Sequence, residues 1–448
     1  MIERARRLLQ EALRTQFIRD ASMLTGAQLL VSVLAFVQGI VVAAWLGPEE
    51  YGIALLIISV PSMMFAILDA RTSAAAVKYL TQFHTDRAPD RARAMCKLAY
   101  ALDFGISVLA LALVAGVARW AETRIVHSEG TAALIILYAT AYLPRSLTAT
   151  SQSVLTVVGG FQAMAIAQLV AKTVGVVSVL GLVLAGWGVR GVIYGRMAEI
   201  VVMGLVLGAL AFTAVRKTWG GSWIPAHLGQ LDGYRREIFR FVGFTEITEL
   251  VHVVSKQADV VLLGYFAGPV QAGYFGFARR MTGTVATIVE PLQSVLYPRL
   301  SRMWAEQDVA GMRRTLRRFV LGIAVPLAAG ILLAIPLVWP FTHYVVGEQW
   351  DPAVTVTQVF FVSTATWMAT CWLRPLFHAM GEVRFLFLNA TLVNALALVG
   401  FLLTAEPFGA LGLGCVHLLV GGLIGPTIAT RHAFRRLGNP GAPDAHST

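Results

Sequence analysis

Ionisable side chains inside apolar runs are the groups of this sequence best placed to do chemistry. The cations are Lys172, Arg196, Lys256, Arg279 and Arg280, with Arg145 near the end of another run; the carboxylates are Asp103, Glu199, Glu246, Glu249, Asp259 and Glu290. An ionised group at the centre of a membrane helix costs roughly 2.5 to 3.5 kcal/mol on insertion scales, so by default it faces a cavity or a partner. Glu246, Glu249, His252, Lys256 and Asp259 fall within an arc of about 140° at 100° per residue, one polar stripe on an otherwise apolar helix. That stripe is expected to line a cavity. Lys256 and Asp259, like Arg196 and Glu199, are also three residues apart and can neutralise each other within one helix. Asp259 and Arg279 lie ten residues before and ten after Pro269, at similar depth in a helical hairpin, where a salt bridge is within reach. If Arg279 is engaged in that way, Arg280 points about 100° further round the helix and is the better placed for an anionic ligand. Guanidinium forks are the preferred partners of phosphate oxygens.

The elements that position these groups follow from composition. Of 448 residues, 57% are hydrophobic and 14% charged, against roughly 25% charged in soluble domains. A soluble fold is excluded. Apolar runs of about 20 residues, the length that crosses the hydrocarbon core as a helix, follow one another from residue 20 to residue 431. They far exceed the roughly ten alternating residues of a barrel strand, so the expected fold is an all-α integral membrane protein of about twelve transmembrane helices. With the N-terminus inside, 28 of the 36 Lys and Arg residues fall on the inner side and three, Arg119, Arg124 and Arg190, outside. Both termini are therefore expected in the cytoplasm. The net charge of +11 reports topology and not nucleic-acid binding. Cys96, Cys371 and Cys415 are widely spaced and suit neither a disulfide framework nor a metal site.

The expected organisation is a basic tail over 1–20, a first six-helix lobe over 21–215, a cytoplasmic linker over 216–240, a second lobe over 241–430 and a disordered tail over 431–448. In the basic tail, Leu8, Leu9, Ala12, Leu13 and Phe17 recur at helical spacing, which suits the surface of an anionic leaflet. Three matches share nearly one offset. Gly47-Pro48 pairs with Gly268-Pro269, Leu80 and Asp86 with Leu300 and Glu306, and Gly160 with Gly381. A duplication of six spans follows. An even number of spans gives the copies one orientation, related by an axis along the membrane normal, with the cargo path expected between lobes. At the same offset Asp259 corresponds to Gln38 and Arg279 to Ile58, so the charged cluster belongs to the second copy. Pro61 and Pro291 interrupt equivalent helices and are candidate hinges.

AAWLGPEEYGIALLIISV at the first hairpin, and KQADVVLLGYFAGPVQAGYFGFARRM over 256–281, resemble the polysaccharide flippases of the multidrug/oligosaccharidyl-lipid/polysaccharide (MOP, MATE-like) exporter superfamily. The resemblance spans essentially the whole chain. It implies a flippase in a bacterial cytoplasmic membrane, moving an undecaprenyl-diphosphate-linked oligosaccharide outward for O-antigen, capsule or exopolysaccharide synthesis. Some relatives carry two further C-terminal helices; their lack here disfavours the peptidoglycan-precursor branch. In this reading Arg280, Lys256, Arg145, Lys172 and Arg279 are the candidates to contact the diphosphate, and Asp259, Glu249 and Glu246 those to carry a coupling proton or sodium ion. Partners are the lipid-linked oligosaccharide, membrane lipids, and a polysaccharide polymerase and glycosyltransferases. No cofactor, metal or nucleic acid is called for. Moving about two negative charges outward gains roughly 4.6 kcal/mol per 100 mV, inside negative, so potential alone would favour export. Without a Gly-rich phosphate loop ending in Lys-Ser/Thr, direct ATP use is not expected. A multidrug exporter of the same superfamily would present an acidic cavity to cationic compounds, whereas here cations accompany the acids. A membrane-embedded polymerase or ligase would need a sizeable outer loop with catalytic groups, and the outer connections here are about a dozen residues. No nucleophile-base pair or metal cluster can be assembled, so the chain is not expected to be an enzyme.

Overall fold

In a computed structural model the described backbone, residues 2–68 and 72–438, is almost entirely helical and contains no strand. Within it, side chains are described for 26–68, 72–240, 258–283, 289 and 292–438. The basic N-terminal tail with Leu8, Leu9, Ala12, Leu13 and Phe17 lies outside these residues, as do residues 439–448 of the C-terminal tail, whereas 431–438, expected to be disordered, are helical with Ala433 and Leu437 buried. The helices are α1 (Ile2–Leu68), α2 (Thr72–Thr85), α3 (Pro89–Ala121), α4 (Thr131–Thr140), α5 (Tyr142–Val157), α6 (Phe161–Leu182), α7 (Gly188–Trp219), α8 (Arg235–Ala305), α9 (Val309–Phe319), α10 (Val325–Leu333), α11 (Ile335–Phe341), α12 (Ala353–Ala369), α13 (Leu373–Met380), α14 (Val383–Val416) and α15 (Gly425–Gly438).

Eight apolar helical segments are long enough to cross a membrane. Four of them are folded at a glycine outside helical dihedrals, at Gly47, Gly186 with Gly188, Gly268 and Gly409. Among the described residues this makes twelve helical arms, consistent with the twelve expected spans. Pro61 does not interrupt its helix: Gly47 is the one non-helical position in α1. Proline is tolerated in membrane helices where neighbours and local adjustment satisfy the freed carbonyl. Pro291 lies outside the described side chains.

The duplication is written in the backbone. Gly47 (φ 77, ψ 174) and Gly268 (φ 80, ψ −179) share a conformation at an offset of 221, in a region of φ/ψ space essentially open only to glycine. Gly188 (φ 50, ψ −132) and Gly409 (φ 54, ψ −136) repeat it at the same offset. Arg87 (φ 52) and Gln307 (φ 57) both turn left-handed just before a helix start, at 220. The short turn before α6 corrects the sequence register: Gly381 (φ 77) matches Gly159 (φ 74), and Gly160 matches Glu382.

Two compact units result, one from Met1–Gln38 and Ile57–Val254, the other from Gly39–Leu56 and Ser255–Thr448. In the first, Tyr79, Leu80, Phe83 and Ala92 are fully buried with Leu207 and Val215. In the second, Leu300 and Met312, the counterparts of Leu80 and Ala92, are fully buried with Leu376, Phe377 and Ala433. The first unit packs helices through small residues, as membrane helices do where no hydrophobic drive separates them from lipid. A Cβ on Gly195 would lie 2.5 Å from the Val179 nitrogen, and one on Gly204 would overlap the Pro144 carbonyl. The second unit includes the Gly39–Leu56 hairpin, where Gly52 meets the Pro269 carbonyl and Gly273 meets that of Pro48. These contacts are reciprocal under the repeat. Trp350, fully buried, donates its indole N–H to the Ala43 carbonyl at 3.0 Å and lies against Tyr51, Tyr274 and Phe277.

Candidate functional site

A cavity of about 410 Å³ opens within the first unit. Helical spacing explains its lining. Tyr142, Arg145 and Thr148 stand at intervals of three on α5, Gln168 and Lys172 at an interval of four on α6, and Arg196, Glu199 and Met203 at intervals of three and four on α7. Residues so spaced share a helix face.

The cavity is cationic. Lys172, 4% exposed, donates to Gln38 Oε1 at 3.1 Å and to both Glu199 oxygens at 3.3 Å. Arg196 reaches the same carboxylate at 2.7 Å. Gly175 makes this approach possible, since a Cβ there would lie 2.6 Å from Glu199 Cβ. Arg145 lies over the Tyr142 ring with its guanidinium carbon 4.9 Å from the centroid, and no carboxylate pairs with it among the described residues. Tyr142 is fixed in turn by stacking on Phe65 and by a 2.8 Å hydrogen bond with Ser62, whose hydroxyl donates to the Ile58 carbonyl. Among the described residues, three cations and one carboxylate thus line the cavity. Thr148 Oγ1 and Gln168 Oε1 line the same cavity, buried and without a hydrogen-bond partner among the described residues. Such atoms are uncommon in native proteins and mark a place where a ligand or water completes the site. Asp103 is satisfied locally, accepting from Thr72 and from Thr150.

The second unit holds a different cluster. Asp259, 2% exposed, receives Arg279 Nη1 at 2.8 and 3.1 Å and the Val260 backbone N–H at 2.8 Å. The salt bridge expected from the hairpin is present. His417 Nε2 stands 3.8 Å from the same carboxylate, buried and without a hydrogen bond among the described residues. Its ring packs among Phe275, Phe360 and Phe401. Arg280 points elsewhere, as the helix angle requires, and lies along Gly39, where a Cβ would be 2.6 Å from its Nε. Lys256, Glu246 and Glu249, with His252 and Glu290, lie outside the described side chains. Gln38 and Asp259, equivalent under the repeat, are both buried and each receives a cation within its own unit.

Of the eight sequence candidates, then, Arg145 and Lys172 share the cavity of the first unit, and Asp259, Arg279 and Arg280 belong to the second. Sequence reasoning missed Tyr142, Thr148 and Gln168, neutral residues without an ionisable signal. It also passed over His417, although an imidazole within LGCVHLLVGG is itself an ionisable group in an apolar run.

The family model of polysaccharide biosynthesis proteins matches residues 17–304, more than half of the chain. No curated protein matches the sequence. Among solved structures, the chain is similar to a multidrug resistance MATE family transporter of the MOP superfamily in its inward-facing conformation, with a TM-score of 0.73 and 14% identity over 92% of this chain and 94% of the other. It is similar to the lipid II flippase MurJ in an inward closed conformation, with a TM-score of 0.62 and 14% identity over 92% and 89%. A MOP superfamily transporter from Pyrococcus furiosus, described as having a binding pocket of reverse polarity, aligns with a TM-score of 0.56 and 15% identity over 94% of each chain. The multi-pass chain with its cationic cavity belongs to the polysaccharide biosynthesis protein family and carries the fold of the MOP-superfamily transporters.

Proposed function

We propose that the protein is a flippase, not an enzyme, that moves a lipid-linked oligosaccharide outward across a bacterial cytoplasmic membrane by alternating access, with both termini in the cytoplasm. The observation that carries this reading is the charge of the first-unit cavity, where, among the described residues that line it, Arg145, Lys172 and Arg196 stand beside one carboxylate, Glu199. A cationic drug would meet net repulsion there, whereas a diphosphate finds an uncommitted guanidinium, a second guanidinium and an ammonium. Membership of a polysaccharide biosynthesis family supports a sugar-bearing cargo, and undecaprenyl diphosphate is the carrier whose head group suits those cations. The partners in this reading are the enzymes that build and polymerise the sugar.

The test is flipping in proteoliposomes of a fluorescent undecaprenyl-diphosphate oligosaccharide beside a cationic dye, for wild type, Arg145→Gln and Arg280→Gln. Lipid-sugar transport that falls at least tenfold in Arg145→Gln, at unchanged protein level, supports the flippase. Dye transport without lipid-sugar transport refutes it. Arg280→Gln asks separately whether the cation beside Gly39 takes part. Coupling in the same reading belongs to Asp259, because His417 Nε2 stands 3.8 Å from its carboxylate without another partner among the described residues. A proton can be exchanged between these two groups while Arg279 balances the charge.

A further inference from the structure

A second cavity, of about 360 Å³, lies wholly within the second unit between the last turns of α8 and the α9–α10 segment. Its wall is apolar, from Leu292, Val295, Leu296, Phe319 and Ile323, and at its rim stand Arg299 and Arg318. Val295 is 60% exposed, so the slot is open along its apolar side. Neither arginine pairs with a carboxylate among the described residues, and both are exposed. Thr315 also lines the rim, and its hydroxyl donates to the thioether sulfur of Met303 at 3.6 Å. A thioether is a weak acceptor, so that donor can turn to a better one.

We propose that this slot is a binding site for an acidic glycerophospholipid. One acyl chain lies against Leu296, Phe319 and Ile323, and the head-group phosphate sits between Arg299 and Arg318 with Thr315 as a third donor. Two guanidinium groups above an open apolar wall match a phosphodiester joined to a hydrocarbon tail, and basic pockets between membrane helices are the usual seats of acidic lipid head groups. A glycerophospholipid is favoured over a polyprenyl diphosphate because the slot is short and open, and because mass action favours the bulk lipid. The amphipathic pattern of α9 fits the same arrangement. Met312, Leu316 and Phe319 are buried, while Arg313, Arg314, Arg317 and Arg318 stay at the surface. The helix therefore lies with its apolar face inward and its cations at head-group level.

Native mass spectrometry of the purified full chain in detergent, titrated with phosphatidylglycerol, tests the site. Wild type is expected to retain one phosphatidylglycerol more tightly than phosphatidylcholine, and Arg299→Gln/Arg318→Gln to weaken that binding at least tenfold. Ile323→Trp, which fills the slot and keeps both cations, is expected to do the same. Arg190→Gln, an exposed cation elsewhere, should leave it unchanged. Melting without added lipid confirms that each variant is folded. Equal retention of phosphatidylcholine, or unchanged phosphatidylglycerol binding in the double variant, overturns the proposal. Displacement by inorganic phosphate alone would reduce the site to an anion site. Preferential capture of undecaprenyl diphosphate would make it a cargo site, and either result overturns the assignment to a glycerophospholipid.

Discussion

Lys172 and Glu199 touch each other, yet neutralising one should affect stability and neutralising the other ligand binding. At 3.3 Å and an effective dielectric of about 20, their attraction is about 5 kcal/mol. Lys172→Gln forfeits it but also removes an ammonium whose burial costs several kcal/mol, and leaves Glu199 paired with Arg196 at 2.7 Å. Its net effect on stability should lie within about 1 kcal/mol. Glu199→Gln is different, because it removes the carboxylate to which the buried Lys172, 4% exposed, and Arg196 both donate, and breaking a buried ion pair by removing one partner costs about 3 to 5 kcal/mol. Binding should follow the opposite order. A charge-assisted hydrogen bond contributes about 1.5 to 3 kcal/mol, so Lys172→Gln should weaken a short-chain polyprenyl diphosphate by roughly 10- to 150-fold. Glu199→Gln removes the competing carboxylate among the described lining residues and should tighten binding in the folded fraction. Melting followed by tryptophan fluorescence in detergent, with calorimetric titration of the ligand, reads both. A Lys172→Gln protein that melts far below wild type while binding the diphosphate equally well would show the lysine to be a packing element and refute the reasoning.

Three further outcomes are expected. Asp259→Asn and His417→Gln should each abolish flipping driven by an imposed pH gradient while leaving flipping driven by potential; equal loss of both would remove Asp259 and His417 from coupling. Gly52→Ala and Gly273→Ala, which place a Cβ on the Pro269 and Pro48 carbonyls, should destabilise by about 1 to 3 kcal/mol each, and Trp350→Ala by about 3 to 5 kcal/mol; unchanged melting in detergent would contradict the packing. The Lys78–Glu237 pair, at 3.1 Å outside the spanning segments, gives a signed pH dependence. Its hydrogen bonds from Lys78 and Tyr79 lower the Glu237 pKa from 4.5, and the bond to Glu237 raises that of Lys78 from 10.5. The carboxylate's contribution is therefore present above pH 4.5 and lost as pH falls through its lowered value. The ammonium's is present below pH 10.5 and lost as pH rises through its raised one. Both groups are exposed, so salt should screen the effect, and Glu237→Gln should remove the acid limb from the melting profile; a limb that persists assigns it to another group.

What could be read from the sequence divides along a physical line. Hydropathy and turn glycines are local properties, and from them the membrane class, the hairpins at Gly47 and Gly268 and the doubled architecture were legible. The Gly160–Gly381 match failed by one residue because the left-handed turn falls on Gly159, and two adjacent glycines look alike until a dihedral is known. The cavity was half legible. Arg145 and Lys172 stood out because a charge in lipid must be explained, and Asp259 with Arg279 because one hairpin fixes their depth. Which of them remain uncommitted depends on neighbours distant in sequence. Glu199 reaches Lys172 across a helix contact that a bare Gly175 permits, and Tyr142 lies beneath Arg145 by the spacing of α5.

The inequality of the two copies is itself informative. Position 38 and its counterpart 259 are both buried, but one is an amide and the other a carboxylate. The amide accepts from Lys172 and leaves that ammonium's charge to be balanced by Glu199, which Arg196 already shares. The carboxylate neutralises Arg279 outright and keeps a histidine beside it. Duplication supplied the same buried polar position twice. Among the described residues, divergence left more cations than carboxylates in the first-unit cavity, which the proposed reading gives to an anionic ligand, and a neutralised acid with an imidazole in the second unit, which it gives to proton exchange. Exchanging the residues, Gln38→Asp with Asp259→Gln, should therefore weaken diphosphate binding in the first unit by adding a competing carboxylate, and remove the response to a pH gradient in the second. Loss of only one of the two would show that one of the copies does not perform the task its charge suggests.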